Sequence, residues 1–166
     1  QPPPNFPAAP FPCSFQVTHY IAACTHKDAV LNVTLAQHSR DNLVQLKKTL
    51  PKDIPVVICS KGIEKNSGLL MSEVMQNVMP AHSFAILSGP NFASEVADGL
   101  PSATTLATSD ADLGKNLTEL IGQHTFRPYF TNDVIGAQMG GALKNVLAIA
   151  CGIVAGAKLG ENAKAA

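Results

Sequence analysis

Charge is scarce in this chain. Twelve Lys and Arg residues meet twelve Asp and Glu, and only 14% of the 166 residues are charged. That balance excludes the basic footprint of a nucleic-acid binder or an anionic-membrane binder. Long apolar runs are missing too. The longest, Val146 to Ala157, has 12 residues, short of the roughly 20 a bilayer requires, so it reads as a buried helix and no membrane span is expected. Cysteines are few, and Cys13, Cys24, Cys59 and Cys151 lack paired short spacing. They read as free thiols of a reducing, cytoplasmic compartment. With His19 and His26 the first two could suggest a metal site, but the gaps do not match structural zinc spacing, so no metal is expected. No basic-then-apolar leader and no internal repeat is visible. The triplets Asn32-Val33-Thr34 and Asn116-Leu117-Thr118 fit the glycosylation pattern, yet Asn32 falls in an expected buried strand, so neither argues for secretion.

What is present is a globular composition, 46% hydrophobic, enough for the core of one ordinary domain that handles small molecules. Six of the first twelve residues are proline, which predicts an extended or disordered opening. The chain starts on Gln1 and stops within helix-forming Asn162 to Ala166 without a cap, so a piece of a longer parent is expected.

From Asp28 onward short apolar runs alternate with amphipathic segments, the pattern of a parallel sheet wrapped by helices. Strands are expected over Ala29–Val33, Ile54–Cys59, Ser83–Leu87, Ala103–Thr108 and Arg127–Phe130. Helices are expected over His38–Leu50, from an Asn66 cap through Val78, from an Asn91 cap to Gly99, and over Ala111–Gly122 with Leu113, Leu117, Leu120 and Ile121 inward. Met71, Met75 and Met79, four apart, read as core filler, and Lys47, Lys48 and Lys52 as solvated charge at a helix end. After Asn132 the alternation stops and everything reads helical, which puts a boundary near Thr131.

Within that helical part, Lys144 is the sole charge between Val134 and Ala157. At helical spacing it shares a stripe with Gly136, Gly140, Ala148, Gly152, Gly156 and Gly160, where a ligand or another backbone could approach closely. Leu143, Val146, Leu147, Ile149 and Ile153 make the helix apolar nearly all round, hence expected to be buried. Two readings stand open. Either Lys144 snorkels to water from a core helix, or burial disfavours its charged form and makes it a usable base.

Ligands of an open parallel sheet bind beyond the carboxyl ends of its strands. Three loops there carry Ala36-Gln37, Lys61-Gly62 and Ser88-Gly89-Pro90-Asn91, so three strands point at one crevice. Gly89 would let a ligand lie against bare backbone, and Pro90 starts a helix whose free amides suit an anion. A plain strand-to-helix turn and a solvated loop lysine are the competing readings.

The blocks Ser60-Lys61-Gly62-Ile63-Glu64, Leu87 through Pro101 and Asn132 through Ala166, in this order and spacing, resemble the NAD(P)-dependent glycerol-3-phosphate dehydrogenases. The resemblance covers roughly Asn5 to Ala166 and is strongest from Val56. It implies an α/β chain, with residues 1–131 the C-terminal portion of a Rossmann-like NAD(P)-binding domain and 132–166 the beginning of a helical substrate domain. The implied reaction interconverts glycerol 3-phosphate and dihydroxyacetone phosphate with NAD or NADP, for glycerophospholipid synthesis. Carried over by position, Lys144 is the catalytic base. Lys61, Gly89, Asn91, Lys144 and Asn145 contact substrate, and Lys61, Ala93 and Gln37 lie against the cofactor. The family's glycine-rich fingerprint and its Ser-Arg-Asn block are not in this sequence, and Leu35 stands where the family usually has proline. The choice between NADH and NADPH stays open, as does oligomeric state, with a homodimer of the full-length enzyme among the options. Two alternatives remain: another β-hydroxyacid-type dehydrogenase, or a non-catalytic remnant.

Overall fold

Period-two alternation decides which layer each strand residue joins. Strand β2 (Val56–Ile58) is wholly buried. Val56 and Ile58 enter one core cluster with Leu43, Leu46, Val74 and Met75, whereas Val57 between them enters a second cluster with Ala85, Leu106 and Leu117. Helices therefore cover both faces. The computed structural model describes Phe11 and residues 14–165; the expected disorder of the proline-rich opening, and Cys13, lie outside them.

A 3-10 turn at Ile21–His26 leads into β1 (Val30–Asn32), α1 (Ala36–Leu46), β2, α2 (Met71–Val78), β3 (Phe84–Ser88), α3 (Ala93–Ala97), β4 (Ser102–Ala107), α4 (Ala111–Ile121), β5 (Phe126–Thr131), α5 (Val134–Gly156) and α6 (Glu161–Ala165). The α/β class and the five strands agree with the sequence reading. The wholly parallel sheet does not. Strands lie in the order β1-β2-β3-β4-β5, and β4 runs antiparallel to β3, with Ser88 opposite Thr105. The cause is the connection. Helix α3 has five residues, about 7.5 Å of rise, too little to carry the chain back to the start of β3, so it turns at Gly99 (φ 73°) and returns alongside. Helix α4, with 11 residues, does reach back, and β5 is parallel to β4.

Three further expectations are corrected. Asn66 caps nothing: α2 starts at Met71, and Glu73 Oε2 accepts from the Leu70 amide at 2.7 Å, because residues 63–70 form a turn closed by an Ile63–Leu70 bridge. Leu120 is exposed, while Leu117 faces the sheet and Leu113 and Ile121 are partly buried. The third concerns α5, which is not buried. Only Gln138 is fully buried in it, and Val146, Leu147, Ile149 and Ile153 are exposed. An all-round apolar helix needs cover on every side, and the described residues offer a sheet on one. By length and composition this 23-residue helix is also long and apolar enough to cross a membrane, since it reads through Lys144 where the uninterrupted run does not. Its N-terminal half is nevertheless packed on protein. Val134 and Ala137 meet the first core cluster. The Gln138 amide accepts from the Ser72 amide at 2.9 Å and donates to Ser72 Oγ at 2.8 Å, pinning α5 to the start of α2.

Met71, Met75 and Met79 are core, as expected. Asn32 is buried and donates to Ser39 Oγ at 2.8 Å, joining β1 to the first turns of α1.

Candidate functional site

Beyond the carboxyl end of β3 lies a crevice of about 260 Å³, lined by Ser88, Gly89, Pro90, Gly136, Ala137, Gly140, Gly141 and Lys144, so of the three expected loops only the one after β3 lines it. Residues 136, 137, 140, 141 and 144 share one face of α5 by helical spacing. Asp133 starts that helix by accepting from the Gly136 amide at 2.8 Å, and the Gln138 anchor fixes its rotation. The sheet supplies the other wall. Lys61, from the loop after β2, donates to the Gly89 carbonyl at 2.8 Å. The structure thus brings together Lys61, Gly89 and Lys144, residues up to 83 positions apart in sequence.

The lysines differ in surroundings from what was expected. Lys144 is exposed, so the shielding that the helix pattern suggested is not supplied by the described residues. Lys61 is also exposed as a residue, but its amine is partly shielded, and its basicity is lowered first by that burial and then by the charge of Lys144. The two ammonium groups repel, which makes the crevice a receptive place for an anion. Cys59 nearby is no competing nucleophile, because burial pushes its thiol up to about 11.

The close approach expected at the glycine stripe occurs next to it. A Cβ on Gly141 would stand 2.6 Å from Ser88 Oγ, whereas Cβ atoms on Gly140, Gly152, Gly156 and Gly160 would meet open space. Ser88 and Gly141 were not singled out by the sequence, since only tertiary packing sets them against each other. Asn91 does not cap α3; its Nδ2 donates to the Ala103 carbonyl at 2.8 Å, which holds the Gly89 turn against β4. Gln37 has both ends engaged, Nε2 donating to the Ile63 carbonyl and Oε1 accepting from the Lys65 amide, each at 2.8 Å. Ala93 and Asn145 are exposed and lie outside the crevice lining. A second hollow of about 220 Å³ against β1 and α1 has no charged lining residue and offers no comparable chemistry. Among the described residues no group of three His, Cys, Asp or Glu is placed to hold a metal.

The loop after Lys61 is pinned to α1 by an ion pair. Arg40 Nε and Nη2 each donate at 2.8 Å to one oxygen of Glu64. Those bonds, and a further one from Ser67, hold the Glu64 carboxyl down at about 2. Because the folded value lies below the ordinary 4.5, the pair's stabilisation is complete above that pH and is lost as pH falls from there through about 2. Glu64→Gln should therefore flatten the acid limb of a denaturant-midpoint-versus-pH curve in this window, and an unchanged slope would contradict the assignment.

Comparison with known proteins identifies the family. The family profile described as NAD-dependent glycerol-3-phosphate dehydrogenase N-terminus matches residues 4–114, and the corresponding C-terminus profile matches residues 133–166. A protein of Parvibaculum lavamentivorans named glycerol-3-phosphate dehydrogenase [NAD(P)+] is 51% identical over 153 residues, 92% of this chain and 46% of its own length. The crystal structure of glycerol-3-phosphate dehydrogenase from Coxiella burnetii superposes with a TM-score of 0.83 at 33% identity, over 96% of this chain and 49% of that one. The Saccharomyces cerevisiae enzyme gives 0.80 at 29% identity, over 96% and 48%. The chain spans about half the length of these relatives. On a profile match covering most of its residues, the chain belongs to the NAD-dependent glycerol-3-phosphate dehydrogenase family.

Proposed function

We propose that this chain carries the substrate end of the active site of an enzyme that interconverts glycerol 3-phosphate and dihydroxyacetone phosphate. The observation that carries the reading is that Gly89 and Lys144 line one crevice while Lys61, bonded to the Gly89 carbonyl, stands at its edge beside Gly141. Two ammonium groups suit a phosphorylated three-carbon substrate. Lys144, rising from the glycine wall, takes the proton from the substrate's secondary hydroxyl in oxidation and returns it to the carbonyl oxygen in reduction. Lys61 holds the substrate from the opposite wall. Asn91, through its bond to Ala103, keeps Gly89 bare and close. Asn145 and Ala93 enter as substrate and cofactor contacts on the family resemblance alone.

We place the reactive ring of a nicotinamide dinucleotide beside this crevice, where it would supply hydride exchange at its C4 position. The fit rests on the glycine wall, where the space beside Gly140 is open and a Cβ would meet no atom within 4 Å. Lys61, Ala93 and Gln37 are the residues we place nearest it, with Gln37 acting through the Lys61 loop it grips. The proposal includes the two-part organisation at residues 131 and 132, action in the cytoplasm in glycerophospholipid synthesis, and a homodimer of the full-length enzyme.

The test is a substrate comparison on a chain of full family length. NADH and NADPH oxidation are followed with dihydroxyacetone phosphate and with small 3-oxoacids. Turnover of the triose phosphate alone is expected. Preference for an oxoacid would move the chain to the β-hydroxyacid-type dehydrogenases, and calorimetry showing no cofactor binding would make it a non-catalytic remnant.

A further inference from the structure

We propose that Arg40 is a positioning residue for Lys61, acting through Glu64 and the loop between them. The inference deepens the function proposed above and rests on it. Between Cys59 and Met71 the chain has no strand or helix, only the single Ile63–Leu70 bridge, and such a segment is ordinarily among the most mobile of a fold. Here it is gripped from one helix. Gln37 holds the Ile63 carbonyl and the Lys65 amide, and Arg40, one turn further along α1, holds both oxygens of Glu64. The other side of that turn is set in the core by Ser39 and Leu43, so the grip is as rigid as the domain.

Lys61 stands two residues before the first gripped carbonyl. The link is Gly62 at φ 136°, a backbone that L side chains rarely adopt, and a Cβ there would come within 3.2 Å of the Ala36 Cβ. The path from α1 to the lysine is therefore short and closely packed. Its far end is the bond from Lys61 Nζ to the Gly89 carbonyl, 28 residues away in sequence.

The pair is part-buried, its side chains 35% and 14% exposed, and besides its contribution to stability it fixes where the loop sits on α1. Of the two ion pairs among the described residues, it alone joins separate segments; the other is a loose contact within α6. Its fork geometry specifies orientation as well as distance, which a lysine at position 40 could not reproduce. Misplacement of a substrate-holding group by about 1 Å can cost on the order of 100-fold in rate, so a modest displacement of Lys61 should be readable.

The test uses a chain of full family length bearing Arg40→Ala, Arg40→Lys or Leu46→Ala. Lys61 contacts substrate in ground and transition states alike, so Arg40→Ala should raise KM for dihydroxyacetone phosphate about tenfold while kcat stays within about threefold. Arg40→Lys should fall between it and the parent. In parallel, isotopic acetylation read by mass spectrometry should show Lys61 labelled several-fold faster in Arg40→Ala, with Lys47 unchanged. Leu46→Ala loosens the same helix from its core side without touching the loop, and KM should not move. Unaltered KM and unaltered Lys61 labelling in Arg40→Ala would overturn the proposal, as would an equal KM rise in Leu46→Ala, which would reduce the effect to stability. If the parent protein fails to turn over the triose phosphate, the functional reading falls, and the labelling comparison still decides whether Arg40 sets Lys61.

Discussion

On the proposed role of Lys144, replacing it with alanine in a chain of full family length should lower kcat for dihydroxyacetone phosphate by about 10²- to 10⁴-fold, the range that removal of a positioned acid or base produces. The fold should survive, because the side chain projects from an exposed turn of α5 and has no hydrogen-bond partner within the described residues. A far-ultraviolet spectrum indistinguishable from the parent's would check this. The same substitution carries a second readout that needs no turnover. Part of what lowers the basicity of Lys61 is the charge on Lys144, the rest being burial. In Lys144→Ala the Lys61 amine should therefore titrate at higher pH than in the parent, partway back toward an ordinary lysine, as followed by carbon-13 resonance of its ε position. Retained turnover would remove Lys144 from the mechanism. A Lys61 titration that does not move would mean the two amines do not share the crevice.

Gly89→Ala should be the most disruptive single-methyl change at the site. The added Cβ would stand 2.6 Å from Asn91 Oδ1, 2.9 Å from Thr104 Oγ1 and 3.0 Å from Thr104 Cα. Asn91 could swing aside only by giving up its bond to the Ala103 carbonyl. Thr104 cannot yield, because it is backbone of β4 paired in register with β5 and its hydroxyl donates to the Ser88 carbonyl. Overpacking against backbone lies at the upper end of the usual 1–3 kcal/mol, so a loss of about 3 kcal/mol is expected. For a domain of this size that corresponds to roughly 6–12 °C in Tm. Since the Gly89 carbonyl is also what Lys61 holds, KM should rise in the same variant. A Tm within about 2 °C of the parent's would show that β3 and β4 can part there without cost.

Much of the architecture was legible because it follows from local patterns. Val56, Val57 and Ile58 form an apolar run too short for a helix and flanked by turn residues, and they form β2, a wholly buried interior strand between β1 and β3. Met71 and Met75 fall on the inward face of α2 because four residues return a helix to the same side. The direction of β4 was not legible. It depends on whether the segment from Gly89 to Pro101 makes a helix long enough to cross the sheet, a competition between a few helical residues and the Gly99 turn that spacing alone does not settle. The exposure of α5 was misjudged for a related reason. Apolar periodicity reports that a helix needs cover, not that the cover lies within the same residues.

The candidate site divides in the same way. Lys61, Gly89, Asn91 and Lys144 were found from residue chemistry, strand ends and family resemblance, each a feature carried by a few consecutive residues. Gln37 was chosen as a ligand contact but has its amide spent on the Lys61 loop. Ser88 and Gly141 lie in the segments that the sequence marks, but that they meet across the crevice floor has no local signal.

By itself the amino-acid sequence determined the class of fold, the strand and helix order and the two lysines, because each follows from side-chain chemistry and spacing along a few turns or strand residues. Only the tertiary structure decided that β4 runs backwards, that Gln138 and Ser72 set the rotation of α5, and that Arg40 reaches Glu64. Those outcomes depend on which surfaces meet across separations of 17 to 66 positions. No local propensity encodes such a meeting, which is settled when the whole core packs at once.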